Sequence, residues 1–423
     1  MGDGADHETG VIHTGDLFDV VPEMPAESVH ACVTDPPYGL AFMGRDWDDF
    51  EPREYQEWCE EWAREVKRVL KPGGHLLAFS GNRTHHRLFT GVEDAGFEIR
   101  DTLTWHYGSG FPKASDVSKT IDKRADAERE LGPERVNPDG GKYSDRNPEL
   151  NSTDYGDKSV DTHETIPATE QAKEWDGWKT GLKPATEYVV MARKPFDGAT
   201  VDCVLEHGTG ALNIDGTRIE TAGERPELDG HRKTGAKNWG DGTISGGSKA
   251  TGTTTEGRYP ANVVFDETEA ERLDRKVGEL DAGAHTTVQE NNDANCYGDQ
   301  VRDAPGHRTE TDSGGPSRYF YTSKASKAER TEDGSIDNSH PTVKPQDLME
   351  WLVKMVTRRD QIVLDPFAGS GTTCRAAKDL SRKFVGVERQ PKWADVARAR
   401  CGLDAEDPSN VRVNDDQTGI ADF

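Results

Sequence analysis

Residues 362–373 read IVLDPFAGSGTT, and this short stretch decides the fold class. Ile362 to Leu364 is a compact apolar run typical of a buried strand, and Gly369 and Gly371 form a turn into a following helix. Glycines let the backbone approach a ligand closely, and the free N–H groups at a helix N-terminus bind polar groups. The stretch predicts a strand, a ligand-binding turn and a helix in an open α/β sheet.

The residues around this turn indicate which class of ligand it binds. A phosphate loop would end in Gly-Lys-Ser or Gly-Lys-Thr, and that lysine is missing here, which disfavours a nucleotide hydrolase. Glu388 ends the next strand, Lys383 to Val387, where an acid accepts hydrogen bonds from both ribose hydroxyls in this kind of fold. A ligand with a ribose and a carboxylate fits better. A plain strand-to-helix connection and a solvated strand end are the alternatives.

The rest of the chain supplies more elements of the same sheet. Apolar residues recur at three- and four-residue steps from Tyr55 to Leu70 and again from Asp347 to Thr357, which predicts two helices. Further apolar runs between turn residues predict strands at Val11 to Thr14, Val29 to Thr34, His75 to Ser80 and Glu187 to Ala192. Strands alternating with helices at this spacing predict a doubly wound parallel sheet built from both ends of the chain.

Composition divides the chain into four segments. Residues 1–112 and 335–423 carry the regular patterns and are predicted to be the two halves of one domain. Residues 113–183, rich in Asp, Glu, Asn, Gly and Lys, read as a polar insertion. Residues 184–334 read as a last core strand followed by a loop-rich module, with apolar islands at Asn262 to Phe265 and Tyr319 to Tyr321.

Charge sets a constraint on the partner. The chain has 78 acidic and 52 basic residues, a formal charge of −26, which by itself argues against binding a polyanion such as nucleic acid. Acidic residues spread along the whole chain are also what a protein from a salt-saturated cytoplasm would show, because salt screens the self-repulsion. We therefore predict a halophilic source.

The cysteines and the hydropathy predict the compartment. The six cysteines form no C-x-x-C pair, so neither a zinc site nor a disulfide framework is indicated. The N-terminus is polar, and nowhere is there an apolar run near the roughly 18 residues that a membrane span needs. We predict a cytoplasmic protein without a metal.

A second motif, Asp35-Pro36-Pro37-Tyr38, follows the apolar run Val29 to Thr34. A carboxylate and a backbone carbonyl held stiff by two prolines can both accept hydrogen bonds from an NH2 group, and Tyr38 offers a face on which a planar base can stack. These hydrogen bonds draw electron density toward the nitrogen, so that its lone pair is no longer shared with the ring. A proline-stiffened loop at a strand end is the alternative.

These motifs together resemble the amino-directed DNA methyltransferases of the permuted β class, the N6-adenine and N4-cytosine methylases, in which the catalytic tetrapeptide precedes the cofactor turn. The resemblance covers roughly residues 11–112, 185–195 and 338–400. It is carried by Thr14-Gly15-Asp16, Val33 to Gly39, Arg68 to Gly74, His340-Pro341-Thr342-Val343-Lys344-Pro345 and Leu364 to Thr373. It implies a circularly permuted, Rossmann-like methyltransferase sheet with an inserted target-recognition module.

The resemblance also implies roles for single residues. Asp35 and the Pro36 carbonyl hold the target amine, Pro37 stiffens the loop, and Tyr38 stacks on the extruded base. Glu388 binds the ribose of S-adenosylmethionine, and Asp16 lies near the adenosine end, with a helix N-cap as its alternative. The other cofactor-binding residues implied are Thr342, Lys344 and Pro345 from the closing segment, and Asp365, Phe367, Ala368, Gly369, Ser370, Gly371 and Thr372 from the turn.

The resemblance implies double-stranded DNA as the partner, with a homodimer and a cognate restriction enzyme as further expectations. An aspartate first in the tetrapeptide is commoner among the adenine enzymes, so adenine N6 is expected and cytosine N4 is the alternative. Basic clusters at Arg232-Lys233, Lys324 to Arg330 and Arg358-Arg359 are candidates for phosphate contacts or solvated faces. Trp58 and Trp62 are expected in the core, whereas Trp105 fits core and substrate loop equally.

Overall fold

The computed structural model describes residues 10–40, 48, 50–108, 110, 114–134, 163–219, 257–281, 313–323, 336, 338, 340 and 342–404. The chain divides into two compact units, Met1–Gly108 with Thr186–Phe423 and, inserted between them in sequence, Ser109–Ala185. The predicted four-segment boundaries stay a prediction. No helix among the residues described is long and apolar enough to cross a membrane.

The strands in chain order are Gly10–Thr14 (β1), Val29–Thr34 (β2), Leu70–Ser80 (β3), Glu98–His106 (β4), Glu130–Glu134 (β5), His163–Ile166 (β6), Thr186–Arg193 (β7), Val263–Asp266 (β8), Leu280–Asp281 (β9), Ser313–Gly314 (β10), Tyr321–Ser323 (β11), Ile362–Asp365 (β12) and Lys383–Glu388 (β13). The helices are Leu17–Val20 (α1), Pro52–Val69 (α2), His85–Asp94 (α3), Val117–Arg124 (α4), Glu170–Glu174 (α5), Thr200–His207 (α6), Glu267–Val277 (α7), Gln346–Val356 (α8), Thr372–Asp379 (α9) and Pro391–Cys401 (α10). Short 3-10 turns lie at Val21–Glu23, Asp215–Thr217 and Pro316–Tyr319.

The first unit is built on a nine-stranded sheet of order β1-β13-β12-β2-β3-β7-β4-β8-β11. All neighbouring strands are parallel except β7, which is antiparallel to both β3 and β4. From the central pair β12 and β2 the sheet continues to β13 on one side and to β3 on the other. Such a switch point is where doubly wound sheets bind ligands. The predicted fold class is confirmed.

Helices cover both faces of this sheet. On one face α8, α9 and α10 pack on Val33, Leu77 and Phe384, and on the other α1, α2 and α3 pack on Cys32, Leu76 and Ala78. Neighbouring residues of the inner strands are thus buried on opposite faces, which explains why those strands read as continuous apolar runs. In α2 the buried residues lie three or four apart, on one face: Tyr55, Cys59, Trp62, Ala63, Val66 and Val69.

The structure differs from the sequence prediction at two places in the sheet. The predicted strand His75 to Ser80 begins earlier, at Leu70, so the stretch 71–74 is irregular strand with Gly73 at φ +74° instead of a plain stop. The islands near 263 and 321 are β8 and β11, which extend the main sheet beyond β4. Residues 1–112 and 335–423 therefore do not complete the sheet alone. The strand β7 lies between β3 and β4, and β8 and β11 continue the sheet beyond β4.

The second unit has a small core of its own. In it β5 pairs antiparallel with β6, and α4 lies near α5. Asp122 is buried and accepts hydrogen bonds from Arg129 at 2.9 Å and from the hydroxyl of Thr169 at 2.7 Å. Ala172 of α5 is also buried. A buried, fully partnered carboxylate thus takes the place of a large apolar centre, which the polar composition could not provide.

Candidate active site

The motif residues come together because their strands run in parallel. Asp16 follows β1, Asp35 follows β2, Asp365 ends β12 and Glu388 ends β13, and these four strands are neighbours in the sheet. The carboxyl ends of parallel strands meet at one edge, so all four acids lie along it. The antiparallel strand β7 begins at this same edge, where Glu187 faces Trp105 of β4 in register.

Asp35 lies in a cluster with a lysine, a tyrosine and a second acid. The hydroxyl of Tyr38 lies 2.8 Å from Asp35 Oδ1 and 3.0 Å from Glu187 Oε2. Lys344 Nζ contacts Asp35 Oδ2 at 2.5 Å and Glu187 Oε2 at 3.3 Å, and it donates to the Tyr38 hydroxyl at 3.2 Å. The side chains of Lys344, Glu187 and Asp35 are only 8%, 17% and 20% exposed. One ammonium group is thus shared by two carboxylates.

Burial and charge shape the titration of this cluster. Burial raises the pKa of Glu187, while the Lys344 ammonium opposes that shift. Burial alone would lower the pKa of Lys344, but Asp35 and Glu187 together raise it. Burial and the same two carboxylates raise the pKa of Tyr38 well above its ordinary value. Lys344 therefore stays charged and the Tyr38 hydroxyl stays protonated.

The loop after β2 is fixed by its own neighbours. The hydroxyl of Tyr55, from α2, donates to the Pro37 carbonyl at 2.9 Å. The buried carboxylate of Asp48 accepts the backbone N–H groups of Gly39 at 2.6 Å and Leu40 at 3.1 Å. Because these bonds already exist, Asp35 and Tyr38 need little reorganisation when a ligand arrives.

The glycine turn is tied directly to this loop. The hydroxyl of Thr34, the residue before Asp35, donates to Asp365 Oδ1 at 2.6 Å, and the N–H of Phe367 donates to the same oxygen at 3.2 Å. Burial raises the pKa of Asp365 to about 6, although the Thr34 hydroxyl opposes the shift. The hydrogen bond from Thr34 to Asp365 joins the two motifs across the central strand pair.

Glu388 is a half-buried acid held by backbone groups. Its Oε2 accepts the Gly369 N–H at 2.8 Å and its Oε1 accepts the Gln390 N–H at 2.8 Å. Burial raises the pKa of Glu388 to about 6, while these two N–H groups lower it. Each oxygen has a second lone pair with which to accept a ligand hydroxyl. At Gly369, φ +52°, a Cβ would reach 3.3 Å from His340 Nε2, so glycine keeps this space open.

The other turn residues differ in what they face. Phe367 packs on Trp58 and Trp62 at centroid distances of 5.5 and 5.6 Å. Arg400 is buried and donates to the Ser370 carbonyl at 2.8 Å and to the Thr372 hydroxyl at 3.1 Å. Ala368 is buried, and its N–H donates to the carbonyl of Val387 at 2.9 Å. Ser370 and Thr372 thus have structural partners, and their contact with a cofactor stays a prediction.

The remaining predicted residues lie as follows. Asp16 is the N-cap of α1 and accepts the Phe18 N–H at 3.0 Å, which matches its alternative; a cofactor role stays a prediction. Pro345 is the N-cap residue of α8. Thr342 is exposed, and its N–H donates to His340 Nδ1 at 3.4 Å.

The aromatic residues follow the expectation in part. Trp62 is fully buried and Trp58 is half-buried against the same core cluster, as predicted. Trp105 packs on the other core cluster with its ring 5.0 Å from that of Tyr107. The basic clusters at Arg232-Lys233 and Lys324 to Arg330 lie outside the described residues.

Two contributors to the site were missed from the sequence. The sequence pattern places Glu187 only in a core strand and gives no role to Asp48. A charged residue at the start of the otherwise apolar run EYVVMA is a signal that could have identified Glu187, because unpaired charge is costly in a buried strand. Asp48 offers no such signal, since it lies in a polar stretch whose burial depends on tertiary contacts.

Comparison with known proteins identifies the group to which these motifs belong. The family model described as DNA methylase, for N6 and N4 enzymes, matches residues 29–399. The type II methyltransferase M.HindIII of Haemophilus influenzae is 22% identical over 93% of this chain and 95% of its own. Among solved structures, the cytosine-N4-specific PvuII DNA methyltransferase has 16% identity and a TM-score of 0.45, covering 94% of this chain and 87% of that chain. The complex of M1.HpyAVI with SAM has 15% identity and a TM-score of 0.36, covering 92% and 98%.

Proposed function

We propose that this chain, which belongs to the DNA methylase family, methylates adenine N6 in duplex DNA after the base is extruded from the helix. The family assignment makes the chain a DNA methyltransferase of the N6/N4 group that uses S-adenosylmethionine. The observation that carries the proposal is the hydrogen bond from Thr34 to Asp365 at 2.6 Å. It supports the proposal because it joins the loop after β2 to the glycine turn after β12 at the switch point of the sheet.

The proposed chemistry begins with the hold on the target amine. Asp35 and the Pro36 carbonyl accept hydrogen bonds from the two N–H groups of the exocyclic amine, so its lone pair turns out of conjugation with the ring. The ring of Tyr38, fixed through its hydroxyl by Asp35 and Glu187, gives the extruded base a stacking face. Positioning supplies most of the rate in such a direct transfer.

The glycine turn fits S-adenosylmethionine. The half-buried Glu388 carboxylate suits two ribose hydroxyls, and Gly369 leaves room that a side chain would fill. When bound, S-adenosylmethionine supplies an electrophilic methyl group on a sulfonium centre. Glu388 and the backbone of the turn from Asp365 to Gly371 would hold the nucleoside part, and residues 342–345 would close over the methionine part.

The cysteines favour an amine over a ring carbon as the target. Methylation of cytosine carbon 5 needs a thiolate nucleophile that follows a proline, and none of the six cysteines does. The five cysteines within the described ranges are buried, and burial raises the pKa of the Cys32 and Cys374 thiols well above the ordinary value. An exocyclic amine needs no covalent intermediate.

Mass spectrometry of nucleosides tests the target atom. DNA methylated in vitro at high salt, then digested, should contain N6-methyladenine. N4-methylcytosine without N6-methyladenine would overturn adenine as the target and leave the family assignment intact. DNA treated with Asp35→Ala provides the matched background.

Residues 195–334 are proposed to choose the target sequence, assisted by residues 113–183. Ile219 and Arg258 pair through two backbone hydrogen bonds of 3.0 and 2.8 Å, so a short linker can replace residues 221–255. This deletion should abolish the site preference, read by sequencing of methylated DNA, while cofactor affinity stays within about threefold. An intact site preference would contradict the assignment. The homodimer and the restriction partner stay predictions.

A further inference from the structure

Glu187 is the one acid of the cluster to which the catalytic and cofactor motifs give no role. It is the second residue of β7, opposite Trp105 of β4, and its carboxylate contacts the same Lys344 ammonium as Asp35 does. Its Oε2 contacts both Lys344 Nζ at 3.3 Å and the Tyr38 hydroxyl at 3.0 Å. Both partners also contact Asp35, so Glu187 acts on Asp35 through two shared neighbours.

The charge balance shows what this second acid does. If Lys344 faced Asp35 alone, the buried ammonium would neutralise that carboxylate, and a close ion pair is a weak hydrogen-bond acceptor for a neutral amine. With Glu187 present, two carboxylates share one ammonium, and the cluster of Asp35, Glu187 and Lys344 retains one negative charge. Among the described residues, the titratable side chains of Tyr38 and Tyr107 also interact with Glu187 and Lys344.

We propose that Glu187 is a positioning residue for methyl transfer: as the second counter-ion of Lys344 it leaves Asp35 a negative charge for the target amine, and it holds the Tyr38 hydroxyl. The inference rests on the proposed function, because it concerns the same amine-holding loop. Glu187 lies on β7, outside both the tetrapeptide and the glycine turn, so β7 would also contribute to the reaction.

The same geometry predicts opposite effects of one substitution in two backgrounds. In the wild type, Glu187→Gln removes a counter-ion from a buried ammonium and should lower the thermal midpoint. In Lys344→Met the two carboxylates lack the ammonium and repel each other across the Tyr38 hydroxyl. There, Glu187→Gln removes the repulsion and should raise the midpoint. If Glu187 served only in packing, Glu187→Gln would shift the thermal midpoint in the same direction in both backgrounds.

The experiment combines this double-mutant cycle of thermal midpoints with the rate of methyl transfer. Single-turnover methylation at saturating cofactor and DNA should fall by roughly tenfold to a hundredfold in Glu187→Gln, since one preorganised electrostatic interaction is lost. The dissociation constant for S-adenosylmethionine should change by less than about threefold, because the ribose and methionine contacts are untouched. The matched control is Glu98→Gln, which breaks the ion pair with Arg193 (2.7 Å) at the opposite end of β4 and β7 and should leave the rate unchanged.

The outcomes separate the two proposals. An unchanged rate in Glu187→Gln, or midpoint shifts of the same sign in the two backgrounds, would overturn the role of Glu187. A folded wild type that binds S-adenosylmethionine but methylates no DNA would overturn the proposed function instead. The midpoint cycle needs neither DNA nor cofactor, so it still decides whether Glu187 is the counter-ion.

Discussion

Asp35 is the side chain on which we expect turnover to depend most. In the proposed reaction it accepts a hydrogen bond from the target amine, and in the structure it contacts Lys344 and Tyr38. Asp35→Ala should nearly abolish turnover, because direct transfer depends on how the amine is held, while cofactor affinity should be spared. Steady-state rates and calorimetric titration with S-adenosylmethionine measure the two effects. Asp197→Ala, in an exposed loop, is the control; equal rates for both variants would exclude the role of Asp35.

Glu388 should give cofactor binding a pH dependence. Burial raises its pKa to about 6, and ribose hydroxyls donate to the ionised form, so protonation competes with binding. The affinity for S-adenosylmethionine should therefore fall as the pH drops through about 6. Glu388→Gln should bind more weakly, by a few kcal/mol at most, and lose part of this dependence. Burial also raises the pKa of Asp365 to about 6, so Asp365 should account for the pH dependence that Glu388→Gln retains. Affinity that varies identically with pH in both proteins would contradict the ribose role.

Residues that carry a motif could be predicted, whereas residues that act through a neighbour could not. Asp35, Asp365 and Glu388 each end an apolar run, and parallel strands must bring such ends to one edge. The partner of Lys344 could not be predicted, because residue 344 precedes a helix and its side chain contacts a residue 309 positions away in the chain. Side-chain direction of that kind is set by tertiary packing rather than by local pattern.

Helices and strands also differ in how far the sequence predicts them. The helix α2 and the strands β2, β12 and β13 follow from periodicity, because each buries a regular set of side chains. The strand β8 did not follow as part of the main sheet, because its four residues show only that some strand forms. Which edge it pairs with, here that of β4, depends on contacts distant in sequence.

The turn between β12 and α9 provides a stability prediction for an element. Gly371 has φ +79°, and a Cβ there would come within 2.7 Å of Ala397 Cβ in α10. Gly371→Ala should lower the free energy of unfolding by about 1–2 kcal/mol for the left-handed backbone and roughly 1–3 kcal/mol more for the clash. Gly208→Ala is the matched control, since φ is +75° and a Cβ would meet only side-chain ends of Arg358 and Gln361. Equal losses in denaturant titrations of the two variants would show that α10 yields to the added methyl group.

The protein carries a formal charge of −26, so its stability should depend on the salt concentration. Exposed like charges repel over about 10 Å at 0.1 M salt but only about 3 Å at 1 M, so molar salt removes most of the self-repulsion. We expect the far-ultraviolet circular dichroism of the folded state to be lost on dialysis into low-salt buffer and retained in molar KCl. Iso-osmolal sucrose is the control, because it favours burial without screening charge. Full activity in low salt, or an equal recovery of the folded state in sucrose, would contradict the prediction of a halophilic source. If salt is required, phosphate attraction contributes little at the working concentration, so contacts with the bases and the shape of the DNA must supply most of the affinity.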